Sequence, residues 1–197
     1  LRGDIGAPEV GVLLAVKAAD QESALQKAEA LSTVLRPLIE QGVMSGFDAP
    51  SLYFPSKASQ EARRASLPEA SVLRANLDRA LQGMPFQNGL FQPFLEQIAA
   101  AKSAPLLTRE GLAGTAFQLK VDGLLVTKHG ATVALLPLRG LKDEARLRSA
   151  IDGLQDSNVS LINLKTESDQ LFSRYRHQAL INALLGALAI TLLLLVS

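Results

Sequence analysis

The chain ends in a run that carries no charge. Ala179–Val196 reads ALINALLGALAITLLLLV, about 18 residues in which only Asn182 and Thr191 are polar. That is close to the shortest helix that spans the hydrocarbon core of a bilayer. Inside a helix the Thr191 hydroxyl can return to its own backbone, so it costs little in lipid. A helix buried in a soluble core would keep a polar face, and none recurs over these five turns. A signal peptide is excluded because the segment is C-terminal. The expectation is a transmembrane helix. The chain starts at Leu1, not Met, and stops at Ser197 at the end of this run, so it is read as a piece of a longer protein.

The preceding stretch, SDQLFSRYRHQ (Ser168–Gln178), places Arg174, Tyr175 and Arg176 at the expected membrane interface. Arginines and a tyrosine suit the headgroup layer, and His177 reads as one more interfacial residue. Two arginines on this flank would favour a cytoplasmic side under the positive-inside rule. They therefore count against the extracytoplasmic orientation adopted below.

Upstream of residue 166 the sequence reads as water-facing. With 20 Lys+Arg against 19 Asp+Glu the formal net charge is +1, which gives no electrostatic case for a nucleic-acid partner. The absence of Cys excludes disulfides, thiolate nucleophiles, iron–sulfur clusters and Cys-based zinc sites. Only two His remain, too few for a His-rich catalytic metal centre.

The elements follow from periodicity and punctuation. Glu9–Ala18 is near-continuously apolar and reads as a strand covered on both faces or central in a sheet. Asp20 is a candidate N-cap, and Ala24, Leu25, Ala28, Leu31, Leu35, Leu38 and Ile39 recur at helical spacing, with Pro37 inside the pattern and Gly42 as a stop. Val43–Pro55 is a second extended stretch. Helices are expected over 56–67, 68–81 and 94–102, the second with Val72, Leu73, Leu77 and Leu81 as its apolar side. Phe117–Thr127 and Thr132–Leu138 read as two strands joined by a turn at His129-Gly130. A helix follows over 142–154, with Leu147, Ala150, Ile151 and Leu154 inward, then a last strand over 159–164. Thr166 is the expected cap of the next helix.

This order is βαβ, a helical insertion over about 56–113, then βαβ. It is the order of a ferredoxin-like split βαβ domain, so the expected class is α+β. The expected organisation is a domain over 1–165 and a linker helix over 166–197 that runs into a truncated transmembrane helix.

Motifs that carry chemistry are absent. No nucleophile elbow, phosphate loop, HExxH or dinucleotide glycine pattern occurs, and no catalytic, cofactor-binding or metal-binding residue is assigned. The RGD near the start reads as coincidence. Arg63, Arg64, Arg74 and Arg79 lie in the insertion, where a solvated face is the simplest role and an anion contact the alternative. Phe86, Phe91 and Phe94 read as local core, or else as the lining of an apolar path. From these, Arg63, Arg64, Phe86, Phe91 and Phe94 are taken as candidate substrate-path residues, because an amphiphile needs an apolar bed and a polar end.

Several phrases taken in order resemble one family: LRGDIGAPEVGVLLAV, LPEASVLRANLDRALQGMPF, FQPFLEQIAAAKSAPLLTREGLAGT, VALLPLRG and NLKTESDQLFSRYRHQAL. Together they resemble the large extracytoplasmic loop of MMPL-type exporters of the RND superfamily, and most of all the loop of the second half, between the seventh and eighth membrane helices. The resemblance covers almost the whole chain and rests on diffuse matches without a catalytic signature. It implies a non-enzymatic periplasmic porter domain in the inner membrane of a bacterium, with βαβ repeats and without a cofactor. Its partners would be the lipid bilayer, the remainder of the transporter chain, a hydrophobic or lipid-like substrate and a possible second copy. Proton-driven transport in that family depends on membrane helices this chain does not include. Two rival readings are an extracytoplasmic sensor domain of a single-pass receptor, supported by the same domain-to-helix junction, and a membrane-anchored hydrolase, which the missing nucleophile motif disfavours.

Overall fold

The computed structural model describes residues 11–87, 89–128, 130–164 and Asn182. Apart from Asn182, the apolar run Ala179–Val196 lies outside the described residues, as do Arg174, Tyr175, Arg176, His177 and His129. Among the described residues no helix is long and apolar enough to cross a membrane.

The class is α+β, with a five-stranded antiparallel sheet and six α-helices among the described residues. The strands are β1 (Val12–Ala18), β2 (Gly46–Phe47), β3 (Leu125–Lys128), β4 (Ala131–Arg139) and β5 (Val159–Asn163). The helices are α1 (Gln21–Glu40), α2 (Lys57–Ala65), α3 (Ala70–Ala80), α4 (Gln92–Ser103), α5 (Ala116–Leu124) and α6 (Glu144–Asp152). The sheet runs β2-β4-β1-β5, and β3 also pairs with β4. Each half of the chain thus brackets a strand of the other: β4 lies between β1 and β2, and β1 between β4 and β5. The register places Gly46 opposite Arg139 and Phe47 opposite Leu138. Further along β4, Leu125 faces Ala134 and Lys128 faces Ala131.

The described residues form two compact units, 11–15 with 36–47 and 136–164, and 16–35 with 48–135. In the first, Leu38, Val43, Met44, Leu136, Leu138, Leu147 and Ile151 are buried. Gly42, at φ 72°, turns the chain out of α1. Val43 N–H then reaches back to the Leu38 carbonyl at 2.9 Å, a left-handed helix stop that favours glycine. Asp143 caps α6 by accepting from Arg146 N–H at 3.0 Å.

In the second unit, Ala24, Leu25, Ala28, Leu31 and Leu35 of α1 are buried with Val121, Leu124, Leu125 and Ala134. Asp20 caps α1 by accepting from Ser23 N–H at 2.8 Å. Thr132, a buried hydroxyl on β4, is paired with the Thr127 hydroxyl at 3.1 Å.

Four local expectations need correction. Over Phe117–Thr127 the chain is helix first and strand after: α5 runs to Leu124 and β3 begins at Leu125. Thr115 starts α5 by accepting from Gln118 N–H, and Val121, Leu124 and Leu125 recur at helical spacing to reach the core. The apparent alternation of Phe117, Leu119 and Val121 is not a strand face, because Leu119 is 77% exposed while Val121 is buried. Within Val43–Pro55 the only strand is the two-residue β2; a single 3-10 turn, Pro50–Leu52, follows it. Helical structure therefore extends past residue 113, to Leu124. Lastly, Leu154 lies beyond the end of α6 and is exposed, so only Leu147 and Ile151 carry that helix's burial.

Candidate functional site

Helices α2, α3 and α4 all lie in the second unit. Their attachment begins at α1, where Glu22 and Glu29, two turns apart, present carboxylates to the N-terminus of α2. Glu29 accepts from Ser56 N–H at 2.8 Å, from the Ser56 hydroxyl at 2.7 Å and from the Ser59 hydroxyl at 2.6 Å. Glu22 accepts from the N–H groups of Lys57 at 2.8 Å and Ala58 at 3.2 Å. A helix N-terminus leaves its first N–H groups without intrahelical partners, and its dipole favours negative charge there. Burial raises the Glu22 pKa, but the Lys57 N–H, the Gln26 side chain and the Ala58 N–H outweigh it and hold the carboxyl below its ordinary range. Sequence periodicity showed neither contact, although the 22–29 spacing on one helix face was a usable signal.

Helices α3 and α4 form a hairpin pinned near both ends. Lys102 pairs with Glu69, and Arg74 Nη2 donates to Gln92 Oε1 at 3.1 Å. Gln92 in turn donates from Nε2 to Glu96 Oε1 at 2.9 Å. Leu95 is the only residue of the two helices that is buried. Val72, Met84, Phe86, Leu90 and Phe94 are exposed, an unusual density of large apolar side chains in water.

A cleft of about 350 Å³ opens between the helices and their connecting loop. One face of α3 and its cap supplies Arg74, Leu77, Asp78 and Leu81, at the i, i+3, i+4, i+7 spacing of a single helical stripe. The loop supplies Met84, Phe86 and Phe91, and α4 supplies Gln92 and Leu95. The Phe86 and Phe91 rings meet edge to face, 5.6 Å between centroids at 77°. Gly83 and Gly89, at φ 79° and 85°, let the loop turn on either side of Phe86.

Of the sequence-derived path residues, the cleft brings together Phe86 and Phe91. Phe94 is exposed and lines no part of it. Arg63 and Arg64 also stand outside it: Arg63 is exposed on α2, and Arg64 Nη1 donates to the Ala104 carbonyl at 3.2 Å. The cation that does line the cleft is Arg74. Asp78, opposite in charge and one turn along, was not singled out by the sequence; a carboxylate next to an apolar stripe looks like any solvated helix face.

Two other depressions are larger, the first of about 570 Å³ and lined by Ser45, Leu138 and Arg139. The second, of about 440 Å³, is lined by Gln60, Leu107 and Arg109, whose polar groups already have partners. Gln60 accepts from Leu107 N–H at 2.7 Å and donates to its carbonyl at 3.2 Å, while Arg109 is held by Asp122 at 2.6 Å and Gln21 at 3.1 Å. Among the described residues no group of His, Asp or Glu could hold a metal ion, and no buried side-chain N or O lacks a partner. Comparison with family models, with curated proteins and with solved structures finds no match for this chain.

Proposed function

We propose that this chain is the extracytoplasmic porter domain, with the start of a membrane helix, of a proton-driven MMPL-type exporter of the RND superfamily. Its bulk would lie in the periplasm, against the inner membrane of a bacterium, and its cargo would be a lipid or another hydrophobic amphiphile. The domain is of ferredoxin-like split βαβ type, with α2 to α5 as the excursion between its halves.

The observation that carries this reading is the α3–α4 cleft: a trough with leucine and aromatic side chains in its lining and charged side chains along one wall. Small-molecule sites are concave and combine apolar side chains with a few placed polar groups that fix orientation. The interleaved strand order β2-β4-β1-β5 supports the same reading, because it is the order two split βαβ units produce. The uncharged run Ala179–Val196 supplies the expected membrane attachment. No catalytic constellation is needed for this role; the domain would act by binding and releasing its cargo as the membrane helices move.

The test is a strain lacking the gene, profiled for membrane and exported amphiphiles. The expected result is an amphiphile retained in the inner membrane, cleared by the intact gene and not by one encoding Leu81→Asp or Phe86→Asp. An unchanged profile in the deletion strain overturns the exporter reading.

A further inference from the structure

The α3–α4 cleft is balanced in charge, with Arg74 and Asp78 both in its lining. The depression of about 570 Å³ is not: it holds one guanidinium, that of Arg139, and no carboxylate. Among the described residues Arg139 forms no ion pair. The hydrogen bond of its side chain runs from Nη2 to the Phe47 carbonyl and is long, 3.5 Å. The other N–H groups of the fork have no acceptor among the described residues.

The end of the sheet builds the place for this arginine. The cavity lies within the first compact unit, where β1 begins and β5 ends, the Leu164 N–H donating to the Gly11 carbonyl at 2.9 Å. Arg139 is the last residue of β4 and stands opposite Gly46. A Cβ at Gly46 would come within 3.1 Å of Arg139 Nη2, so the missing side chain there leaves the guanidinium its room. Ser45 fixes the backbone of the same arginine: its N–H and its hydroxyl both donate to the Arg139 carbonyl, each at 2.9 Å. Gly140 keeps clear the space that this hydroxyl occupies. Val12, Leu138 and Leu141 supply the apolar part of the lining.

A guanidinium fork grips an oxyanion through two parallel N–H bonds. An apolar wall beside it rewards a ligand that also has surface to bury. One cation without a carboxylate matches a single negative charge. We propose that this cavity binds a singly charged oxyanion carried on a compact apolar body, the oxyanion on Arg139 and the body against Val12 and Leu141. The carboxylate of a small organic acid and the phosphodiester of a lipid headgroup share that chemistry. The site has no residue in common with the α3–α4 cleft, and it does not depend on the exporter reading.

Glycines report on it. Gly11 and Gly140 line the cavity, whereas Gly83 and Gly89 belong to the other compact unit. The full chain, labelled with 15N at glycine, is placed in phosphatidylcholine nanodiscs. It is titrated with cyclohexanecarboxylate and, separately, with the neutral cyclohexylmethanol. The expected result is a saturable shift of the Gly11 and Gly140 amide signals with the acid, unmoved Gly83 and Gly89 signals, and binding of the alcohol at least tenfold weaker. Arg139→Gln should weaken the acid at least tenfold. Arg139→Lys should weaken it several-fold, because lysine keeps the charge and loses the fork. Gly46→Ala should do the same by displacing the guanidinium, since the three nearest atoms to the new methyl all belong to that flexible side chain. The Gly83 and Gly89 signals show in each variant whether the chain is folded.

A second arm separates the two sources. In nanodiscs that also contain phosphatidylglycerol, Gly11 and Gly140 signals already shifted, with the acid now forced to compete, assign the site to a lipid headgroup. Unshifted signals and undiminished acid binding assign it to a free organic acid. Alcohol binding as tight as acid binding, an Arg139→Gln chain that binds unchanged, or no saturable shift with either the acid or phosphatidylglycerol overturns the proposal. None of these results bears on whether deletion of the gene traps an amphiphile, so the two readings fail separately.

Discussion

At the residue scale, the groups that decide most are acceptors placed where a helix start needs them. Ser56 is wholly buried, and its N–H and hydroxyl both terminate on Glu29. In Glu29→Gln one oxygen becomes a donor facing other donors, and the charge that strengthens these bonds is lost. The expected loss is about 1–3 kcal/mol of unfolding free energy, read by urea denaturation. Glu22 supplies a pH signature. Its pKa in the folded chain lies below the ordinary glutamate value of 4.5, so its contribution to stability is complete above that value. The contribution is lost as pH falls through the lower folded-state value. Glu22→Gln should therefore flatten the acid limb of the stability profile and leave the slope near neutrality unchanged. An acid limb identical to the unsubstituted chain would refute the assignment. Gly140 is a third such residue: φ is +56°, and a Cβ built there would sit 2.5 Å from Ser45 Oγ. Gly140→Ala is expected to cost about 1–3 kcal/mol, from the left-handed backbone and the displaced serine.

At the element scale, the instructive case is α5. The sequence FQLKVDGL alternates apolar and polar residues and reads as a strand, yet it folds as a helix. Three positions, Val121, Leu124 and Leu125, reach the core only if the first two are helical, and Thr115 supplies the cap. A strand would put residues 119 and 121 on one face and make them equally sensitive. The helix makes them opposite. Val121→Asp should destabilise the chain by more than about 3 kcal/mol, whereas Leu119→Lys should change stability by no more than about 0.5 kcal/mol. Thermal unfolding of the two variants distinguishes the geometries directly. Helices α1 and α6, by contrast, were legible in outline, because apolar residues recur at helical spacing in both and Asp20 marks the start of the first. Helix α3 was legible as a helix and misleading as a core element: Val72, Leu73, Leu77 and Leu81 form a stripe, but none of them is fully buried, and much of that stripe faces a cleft.

At the scale of the whole molecule, the proposed role depends on a mechanical connection between the domain and the membrane. Two flexible residues, Gly-Gly, inserted at Ser168 in the full-length protein should abolish export while leaving its abundance in the membrane unchanged. Undiminished export would show that no rigid connection through the segment after Thr166 is needed. What the sequence by itself determined is what depends on near neighbours along the chain. It held the α+β class, most element positions, the helix cap at Asp20, and the apolar C-terminal run, because periodicity and capping act over a few residues. Tertiary structure alone decided that Glu29 would serve a helix 27 residues away, that α5 would not be a strand, and that Arg74 and Asp78, not Arg63 and Arg64, would line the cleft with Phe86 and Phe91. The physical reason is shared. Hydrogen-bond partners across sequence distance, and the faces that close on each other, are settled by which packing buries the most apolar surface with every polar group satisfied, and no local pattern encodes that balance.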